Sequence, residues 1–112
     1  MNDKAELSLL LDYYGSFLTE RQRELMRMSA DEDMSLSEIA EQAGISRQAV
    51  RDSLSKASEL LHSMENELQL VHHDTVLRHV YGTLECVMRR MNEGSDKALV
   101  EEALSGIDSL IR

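Results

Sequence analysis

Ser46, Arg47, Gln48, Arg51, Ser55 and Lys56 follow one another closely, and every one of these side chains is a hydrogen-bond donor, with positive charge on Arg47, Arg51 and Lys56. Presented on a helix, such a set has the chemistry of a nucleic-acid contact. Arginine binds guanine or phosphate through two parallel N–H donors, glutamine suits adenine, and serine and a helix N-terminus donate to phosphate oxygens. A helical hairpin with a solvated charged face would account for the same charges without a ligand. It would not account for the apolar and glycine positions that flank them.

Those positions specify a helix-turn-helix between Ser35 and Ala57. Ser35 and Glu38 have the spacing of a capping box, in which the serine oxygen accepts the amide at the third helical position and the glutamate reaches back. Ile39, Ala40 and Ala43 line one face of the helix that starts there, with Ala40 small enough for a second helix to cross closely. Gly44 stands where a left-handed residue must end it. Ile45 fills the corner, Ser46 caps a second helix, and Val50 and Leu54 return to the same core. Ser46, Arg47, Gln48, Arg51, Asp52, Ser55 and Lys56 then face outward, as on a recognition helix.

No other constellation carries chemistry as well. His72, His73, Asp74, His79 and Cys86 have ligand types, but adjacent histidines point to different sides of a helix and no second pair stands at metal spacing. No metal or cofactor is expected. His72 and His73 suit a helix C-terminus, where cations are favoured, and Cys86 reads as a small core residue between Leu84 and Val87. Asp31, Glu32 and Asp33 read as a solvated loop. Met26, Met28, Met64, Met88 and Met91 lie near core stripes and are assigned to packing. Without a glycine-rich phosphate loop or a catalytic pairing, the chain is read as a non-enzyme.

At 112 residues the chain suits one small helical domain with an appendage, and its absence of proline and scarcity of aromatics favour helix throughout. One cysteine excludes an internal disulfide framework. No apolar run reaches the length of a bilayer span, and no signal-peptide pattern opens the chain, so a cytoplasmic location is expected. The net charge of −9 opposes binding to a polyanion, yet its distribution is uneven. Ser46 to Ser58 holds three basic residues and one acidic, whereas Met1 to Ile45 holds four basic and ten acidic. An excess that small suits paired faces in a dimer, a protein partner, or weak salt-sensitive binding.

Helical periodicity organises the remainder. Leu7, Leu10, Leu11, Tyr14 and Leu18 predict a first helix ending near Phe17, with Leu9, Tyr13 and Phe17 widening its apolar side. Thr19 and Gln22 form a second capping box that starts the next helix at Glu20, which turns Leu25, Met26 and Met28 inward. Val50, Leu54, Ala57, Leu61, Met64, Leu68 and Val71 follow heptad spacing and predict one long helix to about Val71. Leu77, Val80, Leu84, Val87 and Met91 repeat that spacing in a following helix. The two seams are expected to pack antiparallel or against a second copy, with Leu61, Met64, Leu68, Leu77, Val80, Leu84 and Val87 as the packing or dimer residues. Leu99, Ala103, Leu104, Ile107 and Ile111 mark a last helix. The expected division is a helix-turn-helix domain over 1–72 and a C-terminal helical segment over 73–112. An all-α homodimer is the architecture this predicts.

The segments Leu11-Asp12-Tyr13-Tyr14-Gly15-Ser16-Phe17-Leu18-Thr19-Glu20-Arg21-Gln22-Arg23, Ser35-Leu36-Ser37-Glu38-Ile39-Ala40-Glu41 and Ser46-Arg47-Gln48-Ala49-Val50 resemble the YlxM family of small bacterial helix-turn-helix proteins. The likeness covers Leu7 to about Leu70. That family is similar in its helix-turn-helix to region 4 of sigma factors, and its gene neighbourhood links it to the signal recognition particle beside the GTPases Ffh and FtsY. The resemblance implies an accessory or regulatory role in that pathway, with the particle's RNA, Ffh or FtsY as partners. Family members usually carry a more basic second half of the recognition helix than Arg51-Asp52-Ser53-Leu54-Ser55-Lys56. Two other readings stand beside this one. A dimeric transcriptional regulator would place two recognition helices one duplex turn apart, about 34 Å. A protein-interaction module would keep the helix-turn-helix only as a scaffold.

Overall fold

The computed structural model describes residues 4–111, which form six α-helices and one 3₁₀ turn, with no strand among the described residues. These are α1 (Lys4–Tyr14), the 3₁₀ turn Gly15–Phe17, α2 (Glu20–Ala30), α3 (Leu36–Ala43), α4 (Arg47–Leu68), α5 (Leu70–Arg89) and α6 (Ser95–Asp108). The fold is all-α, as the composition and periodicity predict. The chain divides into two compact units, Met1–Gln69 and Leu70–Arg112.

In the first unit α1, α2 and α3 gather around α4. The α1 stripe is buried as its spacing requires, through Leu7, Leu10, Leu11, Tyr14 and Leu18. Tyr14 is sealed from solvent, and its hydroxyl donates to Glu65 Oε1 at 2.5 Å, tying α1 to the distal half of α4. Such a bond removes the cost of burying a phenol without a partner. His62 Nε2 lies 2.9 Å from Glu6 Oε1 and adds a second link between the same helices. Leu9 and Phe17 do not widen the buried side; both are exposed, Phe17 by 63%. Leu9 lies about 160° around α1 from Leu7 and so off the stripe, while the 3₁₀ turn tightens the chain after Tyr14 and swings Phe17 away from it.

Both capping boxes form. Thr19 Oγ1 accepts from Gln22 N at 3.1 Å and Gln22 Oε1 from Thr19 N at 3.0 Å, so α2 starts at Glu20. Leu25, Met26 and Met28 then point inward. The acidic run after α2 is exposed but tethered, with Ser8 Oγ donating to Asp31 Oδ1 at 2.5 Å and Lys4 Nζ paired with Asp33.

The α4 helix ends earlier than heptad spacing predicts. Gln69 adopts a left-handed conformation (φ 56°, ψ 32°), its N–H bonds Glu65 O at 2.8 Å, and α5 begins at the next residue. Heptad spacing continues across this break because apolar periodicity reports faces and not backbone continuity. His72 and His73 consequently lie in the first turn of α5, not at a helix C-terminus.

In the second unit α5 pairs with α6. Leu104 is its one buried residue among those described. The predicted α5 seam splits: Leu77 and Leu84 are half-buried, whereas Val80 and Val87 are exposed, as is Val76. Leu99 on α6 is exposed as well, and Cys86 is exposed and not a core residue. A single helical partner covers only one flank of α5, so its other apolar positions stay open.

Candidate nucleic-acid interface

The interface is built by two caps and one glycine. Ser35 Oγ accepts from Glu38 N, and Glu38 Oε1 accepts from Ser35 N, both at 3.1 Å, which fixes the start of α3. The Ser35 backbone N–H on Oε1, together with the Ser35 hydroxyl beside it, holds the Glu38 carboxyl below its ordinary range by stabilising its charged form. Gly44 closes α3 at φ 71° and ψ 32°, with its N–H on Ala40 O at 2.9 Å and the Ile45 N–H on the same oxygen at 3.1 Å. A side chain is strained in that region, so glycine sets the sharpness of the turn. Ser46 Oγ then accepts from Ala49 N at 3.0 Å and starts α4.

The core under the turn comprises Leu25, Met28, Ile39, Ala40 and Val50, with Met34, Leu36, Ala43, Ile45 and Leu54 packed around it. The positions predicted to join the two helices therefore meet. This core fixes which sector of α4 faces water. Ser46, Arg47, Gln48, Arg51, Asp52, Ser55 and Lys56 are all exposed.

Exposure does not place them together. At about 100° per residue, Arg47, Arg51, Ser55 and Gln48 fall within about 100° of arc, whereas Lys56 lies about 180° from Arg47. Arg47, Arg51, Gln48 and Ser55 form one face, and Lys56 belongs to the opposite flank. Contacts within the arc are light. Arg47 Nη1 donates to Ser37 Oγ and Arg51 Nη1 to Gln48 Oε1, each at 3.4 Å, while Gln48 Nε2 donates to Asp52 Oδ1 at 2.9 Å. Gln48 is thus already engaged on both ends of its amide, and Asp52 orients it. The arginines keep most of their donors for a ligand.

Two contributions escaped the sequence reading. Ser37, in the first turn of α3, reaches Arg47 and extends the polar surface across the turn. Its place two residues after the capping Ser35, in the exposed first turn of α3, is the signal that could have found it. Lys4 and Ser29 line a cleft with Arg51 and Ser55, a neighbourhood assembled from three helices. Among the described residues no three His, Cys, Asp or Glu side chains come together to hold a metal ion.

A family model described as "Putative helix-turn-helix protein, YlxM / p13 like", UPF0122, matches residues 1–100. The chain belongs to this family. A UPF0122 protein of Clostridium perfringens (strain SM101 / Type A) is 37% identical over 112 residues, covering 96% of this chain and 97% of that protein. Another from Clostridium acetobutylicum is 32% identical over 113 residues, covering 97% of each. One from Desulforamulus reducens reaches 48% over 71 residues, 63% of this chain and 61% of its own length. The family match extends well past Leu70, where the sequence resemblance was expected to stop, and takes in all of α5 and the start of α6. Membership in a helix-turn-helix family implies nucleic-acid binding. No helix among the described residues is long and apolar enough to cross a membrane.

Proposed function

We propose that this chain is an accessory factor of the signal recognition particle pathway that binds nucleic acid, with the particle's RNA as first candidate, through Ser46, Arg47, Gln48, Arg51 and Ser55. The carrying observation is the arc at the start of α4, where two arginines with mostly unused donors sit beside a capped helix N-terminus. Lys56 serves on the other flank, for a phosphate outside the arc. The link to the particle, and to Ffh or FtsY as protein partners, rests on the family's gene neighbourhood.

A homodimer belongs to this proposal, because Val76, Val80 and Val87 leave apolar surface exposed along α5. Leu77 and Leu84 support it from the half-buried side. Leu61 is fully buried within the first unit and serves helix packing there, with Met64 half-buried beside it on α4. The same exposed valines favour a second reading, a dimeric DNA-binding regulator, since two recognition helices must be yoked to read two half-sites.

Equilibrium titration of labelled particle RNA and a random DNA duplex, each at two salt concentrations, tests the proposal. Salt-sensitive preference for the RNA is the expected result, and preference for DNA moves the assignment to the regulator. Binding to neither rejects both and leaves a protein-interaction module, for which Ffh and FtsY become the first partners to try.

A further inference from the structure

Beside the arc, a cleft of about 300 Å³ opens where α1, α2 and α4 meet. Leu54 supplies most of its apolar lining, with the edges of the buried Leu7 and Met26 beneath it, and Lys4, Arg51 and Ser55 contribute polar groups. No carboxylate lines it, in a chain with 21 acidic residues. At about 30 Å³ per water, the space equals about ten waters. That is room for one heterocyclic base.

A duplex backbone has no use for an apolar lining, since its phosphates seek cations and water. An unstacked base does, because its faces are apolar while its sugar and phosphate are not. Arg51 and Ser55 belong to both the recognition arc and the cleft, so a strand gripped by the arc passes the cleft mouth. Resting on the nucleic-acid reading above, we infer that this cleft receives one unpaired base of an RNA strand, with the adjoining phosphate on Arg51 and Lys4. RNA loops and bulges offer bases already out of the stack, whereas a paired base must first be extruded at the cost of its stacking and pairing. Lys4 now holds the exposed Asp33 carboxylate, so an arriving phosphate exchanges one anion for another on the same ammonium.

The test uses the full chain and three probes: an RNA hairpin with one bulged 2-aminopurine, the same hairpin with that base paired, and a DNA duplex of matching sequence. The bulged hairpin is expected to bind about tenfold more tightly than either paired form, with a change in 2-aminopurine fluorescence at saturation. Ser29→Phe, which fills the cleft from α2, is expected to erase that preference and leave binding to the paired forms. Lys4→Ala, at an exposed side chain that cannot unfold the chain, is expected to weaken the bulged hairpin selectively. Equal affinity for all three probes with unchanged fluorescence overturns the cleft assignment and leaves nucleic-acid binding by the arc standing. No binding to any probe overturns both.

Discussion

Replacing Arg47 and Arg51 together by alanine is the sharpest perturbation of the proposed interface. Their bonds within the protein are single 3.4 Å contacts at exposed sites, so the double variant is expected to keep its stability within about 1 kcal/mol. The effect on binding is of another size. An arginine that reaches a base edge contributes about 1–3 kcal/mol, so losing two costs about 2–6 kcal/mol, or about thirtyfold to twenty-thousandfold in affinity. If both reach phosphates instead, the slope of log K against log salt shrinks by about 2. Fluorescence anisotropy of a labelled RNA or duplex across a salt series separates the two cases. Lys56→Ala, on the opposite flank, is the internal control and is expected to lower affinity by less than either arginine change. A double variant with unchanged affinity and unchanged slope would refute the recognition-helix reasoning.

Gly44→Ala is expected to destabilise the first unit by about 1–2 kcal/mol, entirely through its left-handed backbone, since an added Cβ meets nothing within 4 Å. Thermal melting should show a fall of about 4–8 °C per kcal/mol, with Gly44→Asn less affected; an unchanged midpoint would show that the turn relaxes. Leu61→Ala removes a side chain with 0% exposure and should cost about 2–5 kcal/mol in urea unfolding, while Leu68→Ala, 47% exposed, should cost about 0.5 kcal/mol or less. Similar losses at both positions would contradict the end of the packed portion of α4. Glu38 and Asp33 both have depressed carboxyl pKa values, from the Ser35 hydrogen bonds and from Lys4 respectively. Their contributions are complete above the ordinary carboxylate range and lost as pH falls through the depressed values. Protection factors at the start of α3, which discount the slower intrinsic exchange in acid, should therefore fall below about pH 4.5, and Glu38→Gln should remove that dependence.

Local chemistry was legible in the sequence wherever a few adjacent residues decide the outcome. The capping boxes at Thr19 and Ser35, the left-handed Gly44 and the Ser46 cap all appear where their residue types place them. The stripes through Leu7 to Leu18 and through Val50, Ala57 and Leu61 are buried for the same reason. Partner choice was not legible. The Leu77 to Met91 periodicity says that α5 has an apolar side, and α6 takes only part of it. Gln69 could not announce a helix end, because glutamine favours helix and is an uncommon left-handed cap. From that one residue followed the misplacement of His72 and His73. For the candidate site, helical phase already separates Arg47 from Lys56 by about 180°, a division legible in the sequence but not drawn from it, and the seating of Val50, Ala57 and Leu61 in the core fixes both flanks toward water.

The net charge of −9 is less of an obstacle than its size suggests. At physiological ionic strength the Debye length is about 8 Å, so a phosphate docked on Arg47 or Arg51 feels mainly the groups of its own arc. Asp52 is the acid that remains within that range on α4, and its hydrogen bond to Gln48 gives it a second role, holding the amide that in turn accepts from Arg51. The chain Asp52, Gln48, Arg51 thus trades some attraction for an ordered guanidinium, which lowers the entropy lost when that group meets a ligand. At about 0.01 M salt the Debye length grows to about 30 Å, and the rest of the acidic surface adds its repulsion. Lowering salt therefore strengthens each contact of the arc while weakening the approach of the whole polyanion, and the two effects oppose one another. A protein of this charge distribution should gain less from low salt than a uniformly basic one making the same number of phosphate contacts.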